Sequence, residues 1–444
     1  MLFSSPPTSG CPTVGRSPRG KIKPIAKHTS KIFPLNYSQF LVEIDISLAS
    51  MKYALLILVL CGITACQKAE PESPIDKLKS RAESGDADAQ FKLGTAYQSG
   101  EGVTKNQSEA IAWCRRAAEQ GHVVAQYCLG TIYVSGDGLP RDLETAALWW
   151  RKAADQGMAE AQHKLGCLYF KKNNTECAKW QRKAADQGMA KAQSTLGMLY
   201  ALGMGVPMDM TEAANWYRKA AEQGDADAQN FLGKCYAKGE GVVTDYAEAV
   251  KWYRKAAEQG VADAQNRLAA CYANGEGVTK DMAEAVNWYR KAADQGFAIA
   301  QTNLGSAYLY GEGIAKDQVE GARWYRNAAE QGSASAQFNL GLCFDNGWGV
   351  PKNVSEAVKW WREAAYQGNS SALLNLGLCY ARGNRVQKDD IEAYALFNIA
   401  GIQSDEARQL RDFIAKSMTA EQIAAAQKRS KEIQEKIELN KSLK

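Results

Sequence analysis

Ala226-Asp-Ala-Gln-Asn-Phe-Leu232-Gly233-Lys-Cys-Tyr236-Ala-Lys-Gly239-Glu-Gly241-Val-Val-Thr-Asp245-Tyr-Ala-Glu248-Ala249-Val-Lys-Trp252-Tyr253-Arg-Lys-Ala-Ala257-Glu-Gln-Gly260 is the unit from which most of this chain is built. The glycine of its Leu-Gly pair returns at Gly94, Gly130, Gly166, Gly197, Gly305, Gly341 and Gly377, with Ala269 filling the one gap. Copies follow at 36 residues, apart from a single step of 31 between Gly166 and Gly197. A fixed period in this range marks a solenoid or an array.

Each copy reads as two helices. Ala228, Leu232, Cys235 and Tyr236 fall on one face of the first, and Ala249, Trp252, Tyr253, Ala256 and Ala257 on one face of the second. Gly239-Glu-Gly241 turns the chain between them. An acidic or amide residue with glutamate three places later opens the second helix, as in Asn106/Glu109, Asp245/Glu248 and Asn353/Glu356, close to a capping box. Ala-Ala-x-Gln-Gly closes it, with Gly260 and its equivalents at the left-handed C′ position. Neither helix buries its stripe alone, so stacked copies must form the core. The tryptophans Trp113, Trp149, Trp216, Trp252, Trp288, Trp324 and Trp360 are assigned to that core by periodicity.

The pattern Ala-x-Ala-x-x-x-Leu-Gly-x-x-Tyr-x-x-Gly-x-Gly-Val-x-x-Asp-x-x-x-Ala-x-x-Trp-Tyr-x-x-Ala-Ala-x-Gln-Gly resembles the Sel1-like repeat, a relative of the tetratricopeptide repeat. It covers roughly seven tenths of the chain in about nine copies. The resemblance implies an all-α fold, a right-handed superhelical solenoid of helical hairpins over residues 81–402, whose first helices line a concave face that binds another protein or peptide.

A formal charge of +5 from 54 basic and 49 acidic residues is mild. Arg254-Lys255 and Arg290-Lys291 sit at repeat positions beside glutamates and read as a solvated helix face, not a nucleic-acid footprint.

Before the repeats, Met51-Lys-Tyr-Ala-Leu-Leu-Ile-Leu-Val-Leu-Cys-Gly-Ile63-Thr64-Ala65-Cys66 has a positive charge, a short apolar run and small residues ahead of a cysteine. It resembles a bacterial lipoprotein signal over residues 51–65. That implies a lipidated Cys66 as mature N-terminus, and Gln67 after it implies the outer membrane of a bacterial envelope, facing the periplasm or the exterior. A short membrane anchor or a buried helix ahead of a cysteine is the plainer alternative. Residues 1–50 carry no repeat pattern and read as a disordered upstream extension, with Met51 as the start. Gln67–Pro74 is a polar tether and Ile75–Ser84 a lead-in helix. After the repeats, residues 403–444 read as capping helices, with Ile433 and Ile437 as sparse apolar positions on a Lys/Glu-rich last helix that frays outward.

Cys114 and Cys128 lie symmetrically about Gly121, and Cys167 and Cys177 about position 172, as disulfides between antiparallel helices require. Each pair is either a bridge or a pair of small core residues. Cys235, Cys271, Cys343 and Cys379 share one first-helix position and read as buried thiols.

No catalytic motif emerges. Only His122 and His163 follow the signal segment, and Cys-x-x-Cys, His-Glu-x-x-His, Gly-x-Ser-x-Gly and Ser-x-x-Lys are all missing. The weak penicillin-directed activity described for cysteine-rich relatives is therefore disfavoured, and no cofactor or metal is expected. What varies between copies lies just before Leu-Gly and just after the tyrosine. Phe91, Tyr127, His163, Phe170, Phe231, Arg267, Tyr310, Phe338, Asp345 and Arg382 occupy such positions. As exposed side chains they would form a partner-binding groove. The expected function is a non-enzymatic envelope adaptor, with a surface host-interaction factor as the alternative.

Overall fold

The computed structural model describes residues 73–383 and 386–442. The expectations for residues 1–50, the signal segment and Cys66 lie outside the described residues.

A lead helix α1 (Pro74–Glu83) precedes nine hairpins. These are α2 (Ala87–Ser99) with α3 (Gln107–Glu119), α4 (Val123–Ser135) with α5 (Leu143–Asp155), and α6 (Ala159–Tyr169) with α7 (Asn174–Asp186). Next come α8 (Ala190–Leu202) with α9 (Met210–Glu222), α10 (Ala226–Lys238) with α11 (Tyr246–Glu258), and α12 (Ala262–Asn274) with α13 (Met282–Asp294). Then follow α14 (Ala298–Tyr310) with α15 (Gln318–Glu330), α16 (Ala334–Asn346) with α17 (Val354–Ala365), and α18 (Ser370–Arg382) with α19 (Asp390–Ala400). α20 (Asp405–Ala415) and α21 (Ala420–Ser442) end the chain, and no strand occurs among the described residues. From α1 to α20 each helix packs on the next in sequence, and α21 packs on α19, so the fold is the all-helical solenoid that the period predicts.

Two glycines show why the repeat pattern is strict. A Cβ at Gly233 would lie 2.6 Å from the ring of Tyr253, which rests flat against α10. Gly241 has φ +75° and a Cβ there would stand 1.9 Å from the carbonyl oxygen of Met210, in the first turn of the preceding repeat's second helix. The loop glycine thus serves the turn and the contact between copies at once.

The second helices open on Asp245 and its equivalents, whose carboxylate accepts the Glu248 backbone N–H at 3.0 Å. Only half of a capping box forms. The Asp245 backbone N–H is already donated to the Tyr236 carbonyl at 3.0 Å, so the glutamate is released for other contacts, as in Glu284, which accepts the Trp288 indole N–H at 2.7 Å.

Glutamines tie the copies together. Gln229 donates its amide to the Ala221 carbonyl of the preceding second helix at 3.1 Å, and its own carbonyl accepts the amide of Gln259 at 2.8 Å. The same relay recurs from Gln90/Gln120 to Gln337/Gln367. These first-helix glutamines are buried, and each is satisfied on both sides, which is what makes a buried polar network stabilising. Gln90 finds its acceptor in Ala82 of α1, so the lead helix stands in for the second helix of a missing copy. At the other end Leu373 replaces the glutamine and the relay stops.

A second relay runs from arginine to tyrosine. Arg254 donates to the Tyr272 hydroxyl at 2.8 Å and Arg290 to Tyr308 at 2.6 Å. Lys255 lies 4.0 Å from the centroid of Trp252 and Lys291 3.7 Å from that of Trp288. The Arg-Lys pairs lie on an open helix face, as expected, with Arg254, Lys255 and Lys291 exposed, and each also bears on an aromatic ring of its own or the next copy. The tryptophans also depart from expectation: Trp113, Trp216 and Trp288 are buried, whereas Trp149, Trp252, Trp324 and Trp360 are half-buried and cap the core edge.

The terminal helix does not fray over the described residues. Thr419 and Gln422 cap it reciprocally, Ile433 and Ile437 are buried against the last copies, and Arg429 pairs with Glu392 at 2.7 Å. Asn440 donates to the Tyr366 carbonyl at 2.9 Å, so α21 runs back from the ninth copy to the end of α17 in the eighth.

Candidate functional site

First helices of successive copies lie side by side, and the contacts between them are made by the residues that vary. Phe91 of α2 stacks on the His122 ring at 4.8 Å. Asn230 of α10 donates to Asp263 of α12 at 2.9 Å, and Asn303 of α14 donates to Asn266 of α12 at 3.1 Å. One surface therefore runs along the copies, built from the position just before Leu-Gly and its neighbours.

The candidate residues divide on this surface. Phe91, Tyr127 and His163, expected to be exposed, are buried at 8%, 2% and 4% exposure: Phe91 stacks on His122 at the start of the next copy, Tyr127 belongs to the core cluster around Trp150, and His163 lies against Gln181 of its own hairpin. Phe170 and Phe338 are half-buried against the core. Phe231, Arg267 and Asp345 keep part of their surface open, while Tyr310 and Arg382 are exposed. Tyr310 and Arg382 end their first helices and Asp345 lies one residue from the end of its own.

Only Phe231 and Arg267 are gathered into a common cluster. Phe231 stacks on Tyr217 with centroids 5.2 Å apart and carries Lys234 over its ring at 4.8 Å. Lys234 pairs with Asp263 at 2.7 Å, and Arg267 pairs with the same carboxylate at 3.0 Å. Burial alone would raise the Asp263 carboxyl, but the Asn230 and Lys234 hydrogen bonds and the two cations outweigh it and hold it below the usual range. The Asn230 side-chain oxygen is buried without a partner. Sequence reading missed Lys234 and Asp263, since nothing in a single copy shows that positions from two copies converge.

The cysteines are all free thiols among the described residues. The pairs Cys114–Cys128 and Cys167–Cys177 are unbridged. In the second pair Cys167 is turned toward other partners: its Sγ lies 3.7 Å from His163 Nε2 and 3.5 Å from the Gln181 amide nitrogen. Cys235, Cys271, Cys343 and Cys379 are buried, as their register implies. Burial pushes the Cys235 and Cys271 thiols up to about 11 and that of Cys343 to about 12.

No group of three or more His, Cys, Asp or Glu side chains among the described residues is placed to hold a metal ion. No helix among them is long and apolar enough to cross a membrane.

Nine consecutive stretches, 87–122, 123–158, 159–189, 190–225, 226–261, 262–297, 298–333, 334–369 and 370–405, match the family described as Sel1 repeat. A solved Sel1 repeat protein from Oxalobacter formigenes is 34% identical, over 69% of this chain and 96% of that one, with a TM-score of 0.54. The protein c5321, described as a protective antigen present in uropathogenic Escherichia coli strains displaying an SLR fold, is 33% identical over 84% of this chain and 98% of that one, with a TM-score of 0.48. The secretory immunoglobulin A-binding protein EsiB of Escherichia coli is 41% identical over 69 residues, a stretch that spans 15% of this chain and 14% of that protein. With nine matched copies over most of its length, this chain belongs to the Sel1 repeat family.

Proposed function

We propose that this chain is a non-enzymatic adaptor of the bacterial cell envelope, lipid-anchored through Cys66, that holds a partner protein along the face formed by its first helices. Sel1 repeat proteins are typically protein-interaction scaffolds, which supports the general class. The observation that carries the finer reading is the division of labour between helices. Second helices spend their side chains on contacts that recur from copy to copy, the Arg–Tyr pairs, the glutamine relay and, in five copies, a Lys–Trp pair. First helices present side chains that differ from copy to copy, including Lys92, Phe231, Arg267 and Asn303, on one continuous surface. Variation confined to one face of a regular scaffold is what partner recognition needs.

Photo-crosslinking in cells tests it. A crosslinker placed at Arg267 or Asn303 should capture one reproducible partner, and one placed at Lys219 or Lys255 should not. Equal capture from both faces would refute the proposal. Incorporation of a palmitate analogue that Cys66→Ala abolishes tests the anchor separately.

A second reading, a surface factor that binds a host protein, is favoured by the 69-residue stretch that is 41% identical to an immunoglobulin A-binding protein. Protease access on intact cells separates the two: cleavage of the repeats from outside supports this reading, and full protection removes it.

A further inference from the structure

Every hairpin turns at the same edge of the solenoid, where its first helix ends and its second begins. In seven copies the residue just before the second helix's cap is an exposed cation, from Lys105 and Arg141 at one end of the chain to Lys352 and Lys388 at the other. The fourth and fifth copies have Met208 and Thr244 there instead. What these two turns present to solvent is apolar: Met208 is 70% exposed and Val243 87%, and Leu202 and Tyr246 are exposed beside them in sequence. The fold does not need these side chains, since turns with lysine at the Met208 position close in the same way.

The two turns lie side by side. A Cβ on Gly203, the residue after Leu202, would stand 3.2 Å from the Met208 Cβ, and the loop glycine Gly241 of the fifth copy rests on the carbonyl of Met210 in the fourth. Tyr310 and Val319, also exposed, repeat the character at the turn of the seventh copy. Glu101, Asp137, Glu240, Glu276 and Glu312 lie in the turns as well and offset the cations, so apolar side chains and not net charge set this edge apart. A patch of this kind marks a contact.

The described chain also begins at this edge. Ile75, in the first turn of α1, lies with its Cβ 3.4 Å from where a Cβ on the loop glycine Gly102 would stand. Cys66 precedes Ser73 by seven residues, a reach of at most about 25 Å. A lipid on Cys66 is thus tied to the solenoid at the edge that carries the patch, whereas the exposed Ile299, at the start of α14, lies at the opposite one. Aliphatic tips with a tyrosine among them suit the boundary between head groups and acyl chains.

We propose, on the reading of Cys66 as lipidated, that the turns of the fourth and fifth copies seat the solenoid edge-on on the lipid surface that holds its anchor. Leu202, Met208, Val243 and Tyr246 enter the head-group boundary, and the first-helix face, which runs between the two edges, stays open to a partner.

The test is photo-crosslinking of the full chain, purified from membranes and reconstituted into vesicles of phosphatidylethanolamine and phosphatidylglycerol. A photo-reactive residue in place of Val243 should give phospholipid adducts at least about tenfold above one in place of Ile299, read as mass added to the peptide. Met208→Lys, the residue of other copies, should lower the yield at position 243 by about threefold or more with helix content unchanged. High salt should leave that yield within about twofold, because insertion and not charge holds the edge. Palmitate-analogue labelling separates the two readings. A labelled chain whose yield at position 243 is no higher than at position 299 overturns the seating and leaves the anchor standing, whereas a chain that takes no label removes the anchor and the seating with it. Capture of another protein in place of lipid at position 243 in intact cells also overturns the proposal.

Discussion

The hairpins α6–α7 and α10–α11 carry out the same task with different materials. In α10–α11 the Tyr253 ring lies on Gly233 and a loop with two glycines returns the chain. In α6–α7 the loop is five residues shorter, Lys171 takes a φ of +64° as the one non-glycine residue with positive φ among those described, and Gln181 fills the place of the ring. Both relays nevertheless pass through the short copy. Gln162 donates to the Ala154 carbonyl at 3.1 Å and accepts from Gln187 at 2.8 Å, and Arg151 and Arg182 meet the Tyr169 and Tyr200 hydroxyls. Stacking of one copy on the next therefore depends on the alanine and leucine core and on the relays, while the ring sets the tightness within a hairpin. That separation lets the ring position vary: Cys114 stands there in the first copy and Gln181 in the third.

The comparison breaks most directly at the ring. Tyr253→Ala removes a side chain that is 2% exposed and leaves a void against Gly233, so it should cost about 3–5 kcal/mol in urea unfolding followed by circular dichroism. Gln181→Ala removes a buried amide and its hydrogen bonds and should cost less, about 1–3 kcal/mol. An equal or larger loss from Gln181→Ala would mean that the polar cluster, and not the ring, is the stronger fastening.

The relays come next. Gln265→Leu leaves the Ala257 carbonyl and the Gln295 amide without their partner, at 3.0 and 2.7 Å in the intact chain, and should cost about 1–3 kcal/mol. Amide exchange should quicken where α11 meets α12. The last copy already has leucine at this position, so Leu373→Gln should gain nothing comparable. A cost near zero for Gln265→Leu would show that the relay accompanies stacking without supporting it.

Acid sharpens the contrast between the clusters of α10–α12 and the rest. The folded Asp263 carboxyl is held below its ordinary value, so its contribution is present above the unfolded value of about 3.9 and is lost as pH falls through the folded one. The unfolding free energy of Asp263→Asn should converge on that of the unmutated chain between about pH 5 and pH 2, and lie below it at neutral pH. A difference that stays constant across this window would remove the ion cluster as its source.

The sequence made the period, the helix ends and the alanine and leucine positions legible, because those depend on spacing within one copy. It did not show which variable positions stay exposed. Phe91, Tyr127 and His163 vary between copies as surface residues do, yet Phe91 is covered by His122 of the next copy and Tyr127 and His163 by the second helix of their own hairpins. Arg254 is the exposed charge it was read as, but its partner Tyr272 was not legible, lying 18 residues ahead in another hairpin. The Cys167–His163–Gln181 cluster needed both helices of one hairpin in register, whereas symmetry of spacing alone suggested a pairing of Cys167 with Cys177.

The smallest effect tests whether the cations over tryptophan matter. Lys255→Ala removes the ammonium from the Trp252 ring and should cost about 0.5–1 kcal/mol, since the site is open to solvent. Trp324 and Trp360 provide the comparison inside the molecule: the residues three places on are Asn327 and Glu363, so neither indole has that cation. Asn327→Lys should therefore return part of what Lys255→Ala takes away, and the two changes should nearly cancel when combined, being too far apart in the stack to couple. Failure of Asn327→Lys to stabilise would mean that Lys255 acts through its aliphatic stem covering the indole, and Lys255→Met would then retain the stability that Lys255→Ala loses.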